Sequence, residues 1–292
     1  MDILSFKQHN QVGHPMEDYC LIAACKCSFA VADGVTRTKY AKDDFPDNSG
    51  ASQAAKLFCE VVTKHVTQHL EDRPRCSDDL LREAFDEANR RIFTLNKEAG
   101  IQEHLDFVDN DYFGTVGASA YFCGEGHLHY GYIGDCRVVV FNSQHETKLQ
   151  TPDQVEKMKS YLRRRSWEGK LRNRHLLHST IRNNVDFVDE DGKTVGYGVL
   201  TGEQKAASYY RFGSLSVDPG DLVFLHTDGL SHFFSVPEFL GVFWTYIKDR
   251  DRHKFHTSIS DICQRLGKSD PKKFGDDKAL IFLEYCSKQK IC

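Results

Sequence analysis

Apolar and polar positions alternate with period two over some stretches of this chain and recur at helical spacing over others, and the switches between the two rhythms divide it into elements. Tyr19 to Ala24 and Ser28 to Ala32 are apolar runs joined by the turn-like Cys25-Lys26-Cys27, which predicts a hairpin ending at Asp33-Gly34. Asn48 or Ser49 is placed to cap a helix whose Ala51, Ala54, Ala55, Phe58, Val61, Val62 and Val66 follow a 3.6 period and which stops before Pro74. A second helix is predicted from Ser77, with Leu81, Ala84, Phe85, Ala88, Ile92 and Leu95 as its inward stripe and Gly100 as its stop. From Gly114 the rhythm becomes that of strands, over 115–122, 127–133 and 137–141, a three-stranded meander. Asp153 to Arg174 reads as one basic amphipathic helix, and Asn183 to Gly202 as hairpin and loop. Strands over 209–215 and 222–227, helices over 236–248 and 256–266, and a closing strand over 279–285 complete the pattern.

Hairpin-linked strands, with helices arriving in pairs rather than after each strand, predict an α+β fold of antiparallel sheets flanked by helices and exclude a doubly wound βαβ arrangement. No internal repeat, low-complexity tract or Pro/Ser-rich linker interrupts the chain, so residues 1–292 are expected to form a single domain.

Composition narrows the function. Hydrophobic residues at 40% and charged residues at 27% are ordinary for a globular protein. A formal net charge of −4 argues against bulk binding to nucleic acid or to an anionic membrane surface. With no basic n-region before an apolar stretch and no long apolar run, the expected setting is soluble and cytoplasmic, and the expected state a monomer. The ten cysteines are scattered, with no C-x-x-C pair and no zinc spacing, which predicts reduced, mostly buried thiols; a metal or redox role for Cys25 and Cys27 is only weakly signalled. No glycine-rich phosphate cradle follows a strand.

Candidate chemistry lies in five acidic landmarks at abrupt ends of apolar runs: Glu17-Asp18, Asp33-Gly34, Gly134-Asp135, Asp228-Gly229 and Asp276-Asp277. Singly each has a plain structural explanation, since Asp-Gly is a favoured turn dipeptide and Glu17-Asp18 suits a wet strand edge. Together they are what hard divalent cations need, and two such cations side by side catalyse phosphoryl hydrolysis.

The order Met16-Glu17-Asp18, Phe29-Ala-Val-Ala-Asp33-Gly34, Phe113-Gly-Thr-Val-Gly117, Tyr132-Ile-Gly134-Asp135-Cys136-Arg137, Asp221-Leu-Val-Phe-Leu-His-Thr-Asp228-Gly229 and Asp276-Asp277-Lys-Ala-Leu-Ile281 resembles the metal-dependent protein phosphatase family, protein phosphatase 2C. The resemblance spans roughly residues 10 to 285. It implies a four-layer αββα sandwich with a metal cleft at one end. It implies Asp33 as the carboxylate bridging two Mg²⁺ or Mn²⁺ ions, Glu17 and the Gly34 carbonyl completing one shell, and Asp228 and Asp276 holding the other ion. Asp18 would orient ligands or water, and Asp135 with Asp228 would take a third, weaker ion. The implied reaction is hydrolysis of phosphoserine and phosphothreonine in proteins by a metal-activated water, with Asp33 and Asp228 as the catalytic carboxylates and no covalent phosphoenzyme.

Three departures matter. Where the family places a phosphate-clamping arginine, four residues before the Glu, this chain has Gly13. The adjacent His14 is the candidate to contact phosphate or protonate the leaving alkoxide, although an exposed loop histidine explains it as well. Val35 stands where many members have histidine, and His232 where many have a further aspartate, which weakens the third ion site at Asp135. The basic segment at 153–175 takes the place of the family's variable flap; it either recruits an acidic or phosphorylated partner or is simply a solvated face, and the solvated face is the default. Against a phosphatase acting on a phosphorylated protein substrate stand two readings. One is a catalytically weak or inactive regulatory binding module, and the other a two-metal hydrolase of small phosphoesters.

Overall fold

The computed structural model describes residues 2–10, 15–25, 27–35, 49–72, 78–123, 126–164 and 171–286. Its strands build two five-stranded sheets. One sheet orders β1 (Asp2–Gln8), β10 (Lys278–Glu284), β9 (Leu222–His226), β6 (Arg137–Phe141) and β7 (Thr147–Gln150). The other orders β2 (Asp18–Ile22), β3 (Ser28–Gly34), β4 (Thr115–Phe122), β5 (His127–Ile133) and β8 (Arg211–Ser216). Every pairing is antiparallel.

Period-two alternation sorts the side chains into layers. Phe29 and Val31 of β3, Val138 and Val140 of β6, and Val223 and Leu225 of β9 meet between the sheets. Ala30 and Ala32 point the other way, into Phe58 and Val62 of α1 (Gly50–Asp72) and beside Phe85 of α2 (Asp78–Glu98). On the far side Leu4, Phe6, Phe224 and Phe282 pack under Phe239 and Phe243 of α5 (Pro237–Asp249) and Phe255 and Ile259 of α6 (Arg252–Ser269). The expected α+β sandwich, helix pair on sheet on sheet on helix pair, is the observed one.

Local details follow the sequence cues. Ser49 Oγ accepts the Ser52 N–H at 3.0 Å and caps α1. Gly100 takes a left-handed φ of 68° just after α2 ends. Asn48 and Ser77 lie outside the described residues.

The structure adds β1 and β7, which the sequence reading had left without a strand, and a one-turn helix, α7 (Pro271–Phe274). The strand expected over 209–215 starts at Arg211 because Gln204–Tyr209 winds into a 3₁₀ helix. The basic stretch contains α3 (Glu156–Arg164) and α4 (Leu171–Leu176), and whether one helix joins them falls on residues outside the described set. The cysteines need one correction. Cys20, Cys27, Cys59, Cys136 and Cys263 are buried free thiols, but Cys123 is disulfide-bonded. Disulfide pairing depends on which segments the fold brings together, and spacing does not show that. No helix among the described residues is long and apolar enough to cross a membrane.

Candidate metal centre

The register of the β2–β3 hairpin sets Asp18 directly opposite Asp33, so two carboxylates end up side by side at one end of the sandwich. Gly34 follows, its N–H donating to the Glu17 carbonyl at 3.1 Å. A Cβ on Gly34 would lie 2.6 Å from the Ala51 backbone, so glycine is required for α1 to start this close to the site. Ser49 ties that helix start to the acidic group, because the hydroxyl that caps α1 also donates to Glu17 Oε1 at 2.7 Å. The wet-edge explanation of Glu17-Asp18 is thereby overturned, since both side chains are buried.

β9 delivers Asp228 from the opposite sheet. Thr227, the residue before it, donates to Asp18 Oδ2 at 2.6 Å and accepts the Ala279 N–H at 2.9 Å, which stitches β2, β9 and β10 together under the site. Gly229 is required by contact, as a Cβ there would sit 1.9 Å from the Asp277 carbonyl. Asp276 and Asp277 are held by their own backbone. The ammonium of the fully buried Lys278 donates to the carbonyls of Phe274 and Asp276, at 2.8 and 2.5 Å. Asn10 N–H donates to Asp277 Oδ1 at 2.8 Å.

Asp33, Asp135 and Asp228 form the tightest group, with one carboxylate oxygen from each within 4.8 Å of the others. They floor a cavity of about 380 Å³ whose walls also include Glu17, Asp18, Gly34, Asp276 and Asp277. Every expected metal-site residue is thus in one place, and Asp135 belongs to the innermost set. His14 and Gly13 lie outside the described residues.

Electrostatics show what this arrangement lacks. Burial first, then the charges of Asp18, Asp228 and Asp135, push the Asp33 carboxyl well above its usual range. Burial followed by Asp135 does the same to Asp228. Asp18 is pushed up to about 7, again chiefly by burial. Carboxylates crowded this way resist ionising together unless cations sit among them, and an all-oxygen donor set suits Mg²⁺ or Mn²⁺ better than zinc.

One cation that the chain itself supplies among these carboxylates is Lys159. Met158, Tyr161 and Leu162 bury one side of α3 in the core, with Val155 just before it, and Lys159 lines the cavity, its Nζ 3.3 Å from Asp135 Oδ2. Sequence reasoning placed Lys159 among the solvated basic residues, because one helical turn cannot tell a cleft-facing lysine from a water-facing one. It also passed over Asp111, His178 and Arg182, whose partners are distant in sequence. Arg182 makes a two-pronged bond to Asp111, at 2.6 and 3.0 Å, and His178 Nδ1 approaches the same carboxylate at 2.8 Å; Arg182 and His178 both line the cavity.

The outer basic face is paired at the surface, Arg163 with Glu156 at 2.6 Å and Arg164 with Asp189 at 3.3 Å. Exposed pairs of this kind contribute about 0–1 kcal/mol. Arg163→Ala with Arg164→Ala is therefore expected to leave the melting temperature nearly unchanged, which a thermal melt checks.

Cys25 and Cys27 sit in the β2–β3 turn with their Sγ atoms 2.7 Å apart and take no part in the cavity lining. A Cys-x₅-Arg spacing of the kind used by cysteine phosphatases occurs at Cys76 and Arg82. Cys76 is outside the described residues, and Arg82 lies over the Phe212 ring at 4.9 Å, not at the cavity.

Comparison with known proteins adds independent observations. A family model described as Protein phosphatase 2C matches residues 7–274. Among solved structures, the serine/threonine phosphatase PstP/Ppp of Mycobacterium tuberculosis superposes with a TM-score of 0.59 at 18% identity, covering 98% of each chain. A PstP catalytic domain in complex with two manganese ions gives 0.58 at 17%, again covering 98% of each. PppA of Pseudomonas aeruginosa, described as a regulatory component of its T6SS, gives 0.56 at 16%, covering 97% of each. These structural likenesses speak for the fold. No match was found among curated protein sequences.

Proposed function

The chain belongs to the protein phosphatase 2C family, and from that premise we propose that it works as one domain, a Mg²⁺- or Mn²⁺-dependent hydrolase of phosphoserine and phosphothreonine in proteins. The observation that carries the reading is the crowding of Asp33, Asp135 and Asp228 within 4.8 Å at the floor of a cavity, with burial raising the proton affinity of all three and neighbouring carboxylates adding to it. Such a set is unfavourable in a mere binding surface and becomes favourable once divalent cations neutralise it. Support for two ions comes from the manganese-bound PstP structure.

In this reading Asp33, Glu17, the Gly34 carbonyl, Asp228 and Asp276, which all line the cavity, would hold the ions. When bound, such ions supply an activated water and neutralise charge on the phosphoryl oxygens. The chain's own residues do the rest. Thr227 and Asp33 hold Asp18 in place, Lys278 and Asn10 fix the Asp276-Asp277 loop, and Lys159 covers Asp135 so that its charge is partly offset before any third ion is considered. The substitution of Gly13 for the phosphate-clamping arginine favours one rival, a regulatory module that binds phosphoprotein without turnover.

Hydrolysis of p-nitrophenyl phosphate and of a phosphothreonine peptide separates the two. The expected result is turnover with Mn²⁺, loss in EDTA and recovery when Mn²⁺ is restored. Full activity in chelator would end the metal reading, while Mn²⁺ and phosphopeptide binding without turnover would favour the regulatory module.

A further inference from the structure

A substrate phosphate entering this cavity meets a floor of carboxylates, so its own negative charge needs a cationic counterpart on the wall. Four cationic or potentially cationic side chains line that wall, all from the stretch 159–182: Lys159, Arg174, His178 and Arg182. Three of them are committed. Lys159 is bound to Asp135, Arg182 is buried on Asp111 with its Nε 3.3 Å from Glu203, and His178 lies against Asp111. Arg174 differs. It is exposed, stands on α4 at the cavity mouth, and carries no hydrogen bond or ion pair among the described residues.

An exposed guanidinium that lines this cleft and makes no hydrogen bond or ion pair among the described residues fits the two-pronged recognition of a phosphoryl group, which a lysine's point charge does not reproduce. The chain also has Gly13 where a clamp would otherwise stand, so the usual competitor for that role is missing. We propose that Arg174 is the substrate-phosphate ligand of this site, reaching in from the basic segment and taking the place of the arginine that Gly13 replaces. The assignment rests on the phosphatase reading above and deepens it. The phosphate would then be held from the flap side of the cleft, and binding would depend on how the segment bearing α4 is set over the cavity.

The test is titration of inorganic phosphate into the full chain loaded with Mn²⁺, followed by calorimetry and by product inhibition of p-nitrophenyl phosphate hydrolysis. Arg174→Ala is expected to weaken phosphate binding at least about tenfold, the range of a hydrogen bond to a charged group, with Mn²⁺ affinity unchanged. Arg174→Lys should fall between the two, since it keeps the charge and loses the fork. Arg164→Ala, which removes a cation of the same segment away from the cavity, should match wild type and so exclude a general charge effect. Wild type that hydrolyses substrate while phosphate affinity stays the same in Arg174→Ala overturns the assignment alone. Mn²⁺-loaded wild type that neither binds phosphate nor turns over overturns the functional reading with it.

Discussion

Replacing Asp33 by asparagine is expected to lower Mn²⁺-supported hydrolysis of p-nitrophenyl phosphate by at least about 10³-fold while raising the melting temperature of the metal-free protein. The first effect follows from geometry. Asp33 lies in the innermost carboxylate group and opposite Asp18 in the hairpin register, and asparagine there offers a neutral amide where the proposed reading needs a charged oxygen donor. The electrostatic help of a metal pair amounts to several kcal/mol, and about 4 kcal/mol corresponds to a factor of about 10³. The second effect has the opposite sign because the buried Asp33 carboxyl is pushed up by desolvation and by Asp18, Asp228 and Asp135. Asparagine keeps the shape and removes the repulsion, and each kcal/mol relieved is worth roughly 2–4 °C for a chain of this size.

The same charges set a pH dependence. A carboxyl whose folded pKa is raised contributes its full stability below the unfolded value, near 4, and loses it as pH rises through the folded value. For Asp18 that value is about 7, and Asp33, Asp135 and Asp228 are shifted in the same direction. Metal-free wild type should therefore melt at lower temperature at pH 8 than at pH 5, Asp33→Asn should show a shallower slope, and Mn²⁺ should flatten the wild-type slope. Thermal melts in EDTA and in Mn²⁺ at the two pH values check this. An unchanged slope in the variant, or undiminished activity, would remove Asp33 from the centre of the site.

Much of that centre was legible in the chain because each carboxylate closes an apolar run: Phe29 to Ala32 ends at Asp33, and Val223 to Leu225 leads through His226 and Thr227 to Asp228. A buried strand that stops at an acid advertises a rigidly held group at a sheet end. The register that sets Asp18 against Asp33, and the Thr227 hydroxyl that reaches Asp18 across 209 residues, were not legible, since neither leaves a local pattern. β1 shows the same limit. Its Leu4 and Phe6 alternate with exposed Ser5 and Lys7, but what makes the segment a strand is its pairing with β10 at the other end of the described chain. Lys278 sat unnoticed beside Asp277 because a lysine near the surface is the ordinary expectation, and only the fold shows it fully buried on two carbonyls.

The pair formed by Arg182 and Asp111 yields the second large effect. Their side chains are 1% and 2% exposed, and Asp111 accepts two bonds from the guanidinium with His178 against the same carboxylate. Burial by itself raises the Asp111 pKa, but the His178 and Arg182 interactions outweigh it and hold the group below its usual range. Arg182→Met removes one charge and leaves the buried Asp111 carboxylate with only His178 against it, which costs about 3–5 kcal/mol, a fall of roughly 6–20 °C in melting temperature. The loss should shrink as pH falls, and from above the ordinary carboxylate range, because burial without Arg182 raises the proton affinity of Asp111 in the variant. Arg182→Met combined with Asp111→Leu should recover most of it, because two well-packed apolar groups in place of a buried ion pair are often neutral. Arg182 lines the cavity beside His178 and Arg174 and is held there by Asp111, so the single variant is also expected to weaken phosphate binding by misplacing that wall, and the double variant to restore stability before it restores binding. Thermal melts of the three proteins as a double-mutant cycle give the coupling directly. A single variant within 1 kcal/mol of wild type would mean that water reaches Asp111 and that the pair does not brace the cleft.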